Sequence, residues 1–163
     1  MIKIRPASLD DAKIMGEIHY YTWLTTYARI LDENYLKTRS LKKSSEIFEK
    51  NQCKNHLVAS LNEQVCGFIA YGPARDNNLT IDSEIYAFYV LKAFQKKGVG
   101  KALLHEVLKI LKQLGYSTVS LWVLSENQQA ITFYEQNGFV KDGNKRTINL
   151  GKLLTEIRLV KKI

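Results

Sequence analysis

The segment between residues 79 and 124 constrains the fold more than any other part of this chain. Residues 79–90 form a β-rich run, and a glycine-containing turn leads from it into a helix over residues 98–114. Gly115 ends that helix, and a second β-rich run follows at residues 117–124. The helix has one predicted apolar stripe, formed by Val99, Leu103, Val107, Ile110 and Leu114. A strand, a turn, an amphipathic helix and a return strand predict a helix packed on one face of a sheet.

The remaining elements alternate between short strands and helices. The patterns predict strands at 2–6, 55–61, 65–72, 146–150 and 153–160, helices at 9–22 and 126–136, one or two short helices within 33–51, and a loop at 73–78. This order favours an α/β (α+β) fold with antiparallel and parallel strand pairs in one sheet. A length of 163 residues indicates a single domain spanning 1–163.

The composition is that of an ordinary globular protein with a basic surface. Hydrophobic residues make up 45% of the chain and charged residues 25%, which excludes a disordered chain, a collagen-like fibre and a coiled coil. The formal net charge is +8. This excess favours an anionic ligand or a polyanion near the surface, without indicating which one.

The cysteines, the histidines and the first residues exclude several other classes. Cys53 and Cys66 form neither a disulfide framework nor a C-x-x-C pair, and with three scattered histidines they cannot build a structural zinc site, so no metal is expected. The chain begins without a signal-peptide pattern, and no stretch approaches the roughly 20 apolar residues of a membrane span. A cytoplasmic protein without a membrane partner is expected.

The turn before the long helix has the features of a phosphate-binding turn. Gln95, Gly98 and Gly100 follow the spacing Gln-x-x-Gly-x-Gly, and no acidic residue lies within residues 92–101. Helix N-termini carry free N–H groups that bind anions, and glycine lets a phosphate approach the backbone. The turn lacks the third glycine of a dinucleotide-binding loop and the hydroxyl of a nucleoside-triphosphate loop. It predicts a diphosphate ligand, and the alternative is a plain helix start with solvated lysines.

A second group of residues lies on the predicted helix after residue 126. Asn127, Ala130 and Tyr134 share one face of that helix, so an amide and a phenol can point into a cleft beside the phosphate turn. Alternatively, Asn127 caps the helix and Tyr134 is a partly buried core residue.

Together these residues resemble the GNAT superfamily of N-acetyltransferases over nearly the whole chain. The turn at Gln95, Gly98 and Gly100 is similar to the family's pyrophosphate-binding turn. The segment from residue 127 to residue 139 is similar to a second family motif, matched by Asn127, Ala130, Phe133, Tyr134, Gly138 and Phe139. The resemblance implies a mixed, mostly antiparallel sheet of about seven strands, flanked by about four helices, with a splayed strand pair that holds coenzyme A.

What the resemblance implies for the cofactor is acetyl-CoA as the acetyl donor. The backbone of residues 88–90 would bind the pantetheine arm, the amides of residues 96–101 would bind the pyrophosphate, and Asn127 would lie near the thioester. The expected cofactor-binding residues are Phe88, Tyr89, Val90, Gln95, Lys96, Lys97, Gly98, Val99, Gly100, Lys101, Asn127 and Tyr134.

The chemistry of acetyl transfer and the resemblance together assign two catalytic roles. The amine must lose a proton, and the departing thiolate must gain one. Glu84 stands sixteen residues before Gly100, where many family members carry their base, although it can also be a solvated strand residue. Tyr134 matches the family's usual general acid. Because no Ser-His-Asp or Cys-His arrangement is legible, direct transfer is expected rather than a covalent acyl-enzyme.

The acceptor is expected on the side of the first helices and of the strand that carries Glu84. Trp23, Tyr27 and Tyr86 are predicted to line an aromatic pocket with Glu84, suited to an amine or its cation. The acceptor class expected is a small-molecule or peptide primary amine. The alternative for these aromatics is core packing between helix and sheet.

Two other functions stay open from the sequence. One is a coenzyme A-binding module without turnover. The other is an acetyltransferase for aminoacyl-tRNA, suggested by the +8 charge and by residues 141–163, which carry seven basic and two acidic side chains. The absence of a nucleic-acid motif makes nucleic acid an unlikely partner, and a homodimer is a further possibility that the resemblance raises.

Overall fold

The computed structural model describes residues 1–76 and 80–163, and it contains one seven-stranded sheet in the order β1-β2-β3-β4-β5-β7-β6. The strands are β1 (Ile2–Pro6), β2 (His56–Leu61), β3 (Gln64–Pro73), β4 (Ser83–Val90), β5 (Thr118–Leu124), β6 (Val140–Asn149) and β7 (Leu153–Lys162). The α-helices are α1 (Ala12–Thr26), α2 (Glu33–Leu36), α3 (Leu41–Lys50), α4 (Val99–Gln113) and α5 (Gln128–Gln136). All strand pairs are antiparallel except β4 with β5. The predicted fold class is confirmed, with one more α-helix than expected.

Several predicted boundaries differ from the observed ones. The first helix extends to Thr26 and follows a 3₁₀ turn at Leu9–Asp11. The strand predicted from 79 begins at Ser83, while residue 79 itself and part of the loop predicted at 73–78 lie outside the described residues. Strand β6 begins at Val140 rather than at 146. The sequence did not reveal residues 140–145 as strand because their side chains are exposed, so they lack the apolar alternation that marks a half-buried strand.

One face of the sheet packs against α4 and α5. The buried residues of α4 are Val99, Leu103, Leu104, Val107 and Leu111, which confirms three members of the predicted stripe. Leu114 is 64% exposed, because it lies beyond the last turn of the helix, where the chain turns away at Gly115. Ile110 packs at the edge of this core.

The opposite face of the sheet packs against α1 and α3. Met15 and Ile18 of α1, together with Phe48 of α3, cover Phe68 in β3. Gly16 lets the two helices approach closely, since a Cβ there would lie within 2.2 Å of Ser45 Oγ. No helix among the described residues is long and apolar enough to cross a membrane.

The parallel pair β4–β5 is joined only at its beginning. Ser83 pairs with Val119 and Glu84 with Ser120, and the described residues show no further pairing along these strands. Asp82 fastens the joined end by accepting hydrogen bonds of 2.8–2.9 Å from the amides and hydroxyls of Ser117 and Thr118. Although burial alone would raise it, these hydrogen bonds lower the pKa of Asp82 to about 2. Beyond this clamp the strands open into a gap.

Candidate active site

The turn before α4 presents a row of unused backbone donors. Gly98 has a φ of +85°, in the left-handed region that favours glycine, and Lys96 has a φ of 58°. The amides from residue 96 to residue 101 donate no hydrogen bond to any described residue. Six consecutive free N–H groups at the positive end of a helix form a cradle for an anion with several oxygens.

The side chains around this turn add positive charge to the cradle. Lys92, Lys96, Lys97 and Lys101 are all exposed, and none of them forms an ion pair with a described acidic residue. Val99 contributes only its backbone, because its side chain lies in the core. The donor set therefore fits a diphosphate.

Gln95, expected to bind the cofactor, connects the two sides of the gap in this structure. Its Nε2 donates to the Val90 carbonyl at 3.0 Å, and its Oε1 accepts from Gln129 Nε2 at 3.0 Å. The side chain thus joins the end of β4 to the first turn of α5. A ligand in the gap would lie beside this bridge.

The edge of β4 that faces the gap presents backbone groups that do not pair with β3, and one of them, the Val90 carbonyl, accepts from Gln95. Leu91 N donates to Cys66 O on β3 at 2.9 Å, and antiparallel pairing alternates from residue to residue. Phe88 and Val90 therefore turn their backbone groups toward the gap, whereas those of Tyr89 turn toward β3. This alternation favours Phe88 and Val90 over Tyr89 for backbone contacts with a pantetheine arm.

The wall of the gap opposite β4 is formed by α5. The ring centroids of Phe88 and Phe133 lie 5.7 Å apart, and a Cβ placed on Gly100 would lie 3.6 Å from both rings. Gly100 thus lies against the place where Phe88 of β4 meets Phe133 of α5, and an added Cβ would make an ordinary contact with each ring. We call the space between β4 and α5 beside Gly100 the groove; it adjoins the phosphate turn because Gly100 lies in the first turn of α4.

Asn127 caps α5, as one of the two sequence interpretations expects. Its Oδ1 accepts a hydrogen bond of 3.2 Å from the Ala130 amide. The side-chain amide nitrogen of Asn127 makes no hydrogen bond to a described residue. One end of Asn127 is therefore structural, and the other end is free to contact a ligand.

Tyr134 is a largely buried residue of α5 whose ring lies beside that of Phe88 on β4. It is 8% exposed, and its ring packs against Phe88, Phe133 and Phe139. Burial, and secondarily the nearby Tyr89 phenol, raises the pKa of Tyr134 above its ordinary value, so the phenol carries its proton at neutral pH. Its hydroxyl makes no hydrogen bond to a described residue.

The buried Glu84 carboxylate forms an ion pair with Arg75, whose side chain is 58% exposed. Oε1 accepts from Nη2 of Arg75 at 2.6 Å, while Oε2 accepts from the Arg75 amide at 3.0 Å and from Nε at 3.3 Å. Only 2% of the Glu84 side chain is exposed. This arrangement weakens the expectation of a general base, because both oxygens are already occupied.

The aromatic residues expected to form one acceptor pocket fall into two groups. Tyr86 lies under the Arg75 guanidinium, 4.4 Å from it, and donates a hydrogen bond to the Pro73 carbonyl. Trp23 and Tyr27 lie together at the end of α1, with ring centroids 4.7 Å apart. No hydrogen bond, ring contact or apolar cluster among the described residues joins Tyr86 to Trp23 or Tyr27, so the expectation of one shared pocket is not supported.

The Trp23–Tyr27 pair belongs to a cluster that the sequence did not indicate. Arg39 stacks on Trp23, with 4.2 Å between its guanidinium and the ring centroid, and its Nη2 lies 3.4 Å from His19 Nε2. His19 Nδ1 lies 3.0 Å from Ser44 Oγ, and both residues are buried. Because the group beside this Ser–His pair is the Arg39 cation rather than a carboxylate, we interpret the pair as structural rather than catalytic. Arg39 and Ser44 come from a loop and a helix 16 or more positions from Trp23, so no local pattern reveals the cluster.

Tyr89 connects this cluster to the gap. Its side chain lies on the face opposite Phe88 and Val90, and its ring centroid is 5.2 Å from that of His19. Burial raises the pKa of Tyr89, with a smaller opposing effect from Trp23 and Arg39 and a further increase from Glu156. The strand alternation at residues 88–90 is the sequence signal that places this phenol on the same side of the sheet as His19.

A turn with six free amides, a strand edge that opens beside it and a buried phenol nearby suit an enzyme that uses an acyl thioester with a phosphate-containing carrier. Residues 17–139 match the acetyltransferase (GNAT) family. The chain belongs to this family and is an N-acetyltransferase.

Relatives of the chain have the same class of activity in their names. It is 34% identical over 136 residues to the uncharacterized N-acetyltransferase YuaI of Bacillus subtilis, covering 83% of this chain and 78% of the relative. It is 29% identical over 147 residues to a spermidine N(1)-acetyltransferase of Thermoplasma acidophilum, covering 85% and 88%. The crystal structure of the PaiA N-acetyltransferase of Thermoplasma acidophilum in complex with coenzyme A matches with a TM-score of 0.80 at 26% identity, covering 100% of this chain and 99% of that one.

Proposed function

We propose that the protein transfers an acetyl group from acetyl-CoA directly to a primary amine of a small molecule. The observation that carries this proposal is the row of free amides from residue 96 to residue 101, at the mouth of a groove that leads to the Tyr134 phenol. The relative bound to coenzyme A supports the same donor.

Different residues along the groove would bind different parts of the cofactor. The amides of the turn and the surrounding lysines would hold the pyrophosphate, and the open edge at Phe88 and Val90 would bind the pantetheine amides. The bound cofactor supplies an activated acetyl thioester. The free amide nitrogen of Asn127 and the Tyr134 hydroxyl would face its sulfur end.

Tyr134 is the proposed general acid. In the transfer, the amine nitrogen forms a bond to the acetyl carbon, the carbon–sulfur bond breaks, the amine loses one proton, and the thiolate gains one. Burial raises the pKa of Tyr134, which by itself makes a weaker acid. The same low-dielectric surroundings raise the pKa of a thiol released beside Tyr134. The pKa values of the phenol and of the departing thiol therefore shift in the same direction, which keeps proton transfer between them feasible.

Glu84 remains the proposed base, provided that its ion pair with Arg75 leaves it able to accept a proton. Arg75 occupies both carboxylate oxygens, so Glu84 can take a proton only if Arg75 moves away or through a water at a free lone pair. A pH–rate profile of Glu84→Gln tests this role. If Glu84 is the base, the acidic limb of kcat/KM disappears, and if it is structural, the profile keeps its shape while the melting temperature falls.

The experiment that tests the function is thiol release from acetyl-CoA across an amine panel of amino acids, polyamines, aminoglycosides and peptides, with aminoacyl-tRNA included. Acceptor-dependent release establishes the transferase and the acceptor class together. Stabilisation by acetyl-CoA without release from any acceptor would indicate a binding module, and the absence of both would overturn the proposal. The single domain, the homodimer and the cytoplasmic location stay predictions.

A further inference from the structure

Two buried polar atoms on α1 lack a hydrogen-bond partner. Among the described residues, Thr22 Oγ1 and Trp23 Nε1 are the buried side-chain atoms without one, and Thr22 is only 6% exposed. The Trp23 indole lies close enough to the Tyr89 phenol to affect its pKa, yet forms no hydrogen bond of good geometry with it. Because buried donors are almost always satisfied, an indole N–H that has only the poorly placed Tyr89 phenol beside it is free to donate to a ligand oxygen.

A guanidinium without an acidic partner lies over the same indole. Arg39 stacks on Trp23 at 4.2 Å, and His19 holds its other side. Arg39 forms no ion pair among the described residues. His19 is itself fixed by Ser44, so the planar donor group has a defined orientation. A guanidinium stacked on an aromatic ring, with its N–H groups still free, is well suited to bind a carboxylate.

A negative group lies near the other end of the aromatic cluster. On β7, Leu154 and Glu156 point to the same face of the sheet, because side chains alternate along a strand. Leu154 packs in one cluster with Trp23, Tyr27 and Leu124, and Leu124 is the register partner of Glu156. Glu156 is 15% exposed and shares its charge with Arg146 at 2.6 Å. Burial raises the pKa of the Tyr27 and Tyr89 phenols, and the Glu156 charge adds a smaller increase to each.

We propose that the acceptor is a free α-amino acid, whose carboxylate is held by Arg39 and the Trp23 indole N–H while its amine faces Tyr89 and the gap between β4 and β5. This proposal rests on the acetyltransferase function above and narrows its substrate class. An acceptor without an anionic group would leave Arg39 and the buried indole N–H unpaired. A polyamine would also place a second cation beside Arg39, and like charges repel.

The primary test uses the unmodified enzyme. The twenty amino acids are assayed by acetyl-CoA-dependent thiol release, and the best one is compared with its α-carboxamide and with the amine left after decarboxylation. The expected kcat/KM for the amino acid exceeds that for either analogue by about tenfold to 100-fold, the effect of one hydrogen bond to a charged group. The difference should lie mainly in KM.

Variants separate the carboxylate contact from general damage. Arg39→Gln should reduce the preference for the amino acid over its decarboxylated analogue to near one, and Arg39→Lys should retain part of it. Trp23→Phe keeps an aromatic ring but removes the N–H, and should raise KM for the amino acid. Arg29→Gln is the matched control, because it removes an exposed arginine from the loop that follows α1 and should preserve the preference.

The outcomes distinguish this inference from the function on which it rests. If polyamines or decarboxylated amines are acetylated as well as amino acids, the amino-acid inference is wrong and the transferase stands. If no amine of any class supports thiol release, the proposed function itself fails. If Arg39→Gln raises KM equally for the amino acid and its decarboxylated analogue, Arg39 does not bind the carboxylate, and the inference is overturned.

Discussion

Replacing Gly98 by alanine tests whether the turn before α4 exists to bind a phosphate. Gly98 has a φ of +85°, and the nearest atom to an added Cβ is Ile2 Cδ1 at 3.5 Å, an ordinary contact. Alanine therefore fits sterically, and its cost comes from the backbone. Holding an L-residue in the left-handed region costs about 1–2 kcal/mol. For a protein of this size that corresponds to a fall in melting temperature of roughly 2–8 °C.

Gly115, at the other end of the same helix, is a matched control. Its φ is +91°, and no heavy atom lies within 4 Å of an added Cβ. Gly115→Ala should therefore destabilise the protein to the same extent as Gly98→Ala. Relief of strain at residue 98 turns the cradle amides away from the ligand, whereas relief at residue 115 does not affect them.

Titration calorimetry with coenzyme A distinguishes the two variants. Loss of one hydrogen bond to a pyrophosphate oxygen weakens binding by about tenfold to 100-fold, so Gly98→Ala should lose at least tenfold in affinity and Gly115→Ala almost none. Equal affinities in the two variants would refute the phosphate-turn assignment. If Gly98→Ala is as stable as the unmodified protein, the argument from backbone strain is refuted.

Three further predictions follow from other parts of the site. Tyr134→Phe should lower kcat about 100-fold or more while coenzyme A affinity is nearly preserved, and normal turnover would remove Tyr134 from the mechanism. Asn127→Ala should lower the free energy of unfolding in urea by about 1 kcal/mol through loss of the α5 cap, whereas Asn127→Asp should keep the cap; equal stability of the two variants would contradict this. Burial, and then Arg39, lowers the pKa of His19 from 6.5 to about 4, so the unfolded chain binds a proton between those values that the folded protein does not. Stability should therefore fall by about 3 kcal/mol as the pH drops from 6.5 to 4, and His19→Gln should flatten this decline in denaturation measured across that range; an unchanged pH dependence would argue against the assignment.

The elements that form the cofactor side were predictable because their signals are local. The α4 stripe follows the period of a helix, and Gly98 and Gly100 stand where a helix begins after a strand. The contact at the start of the first helical segment is equally local, although that segment lies on the other face of the sheet: Ser8 N donates to Asp11 Oδ2 at 2.8 Å. In each case the residues that interact are a few positions apart, so the chain itself brings them together.

The prediction was incomplete wherever an element depends on a distant neighbour. Strand β6 has no apolar pattern of its own, and it becomes a strand because its backbone pairs with β7. Glu84 reads as a plausible base until Arg75, nine positions earlier, is seen to occupy both of its oxygens. Such contacts depend on where Arg75 lies relative to β4, and spacing along the sequence does not encode that.

The sequence by itself determined the fold class, the glycine-containing turn before α4 and the position of the phenol on α5, because short-range periodicity and glycine positions specify them. Tertiary structure alone decided the cluster around Trp23, where we propose that the acceptor binds. It brings Arg39 onto Trp23, places Tyr89 beside His19, and sets Glu156 opposite Leu124. These residues come from four elements and a loop spread over more than 130 positions, and only the packing of helices α1 and α3 against an opened sheet makes them neighbours.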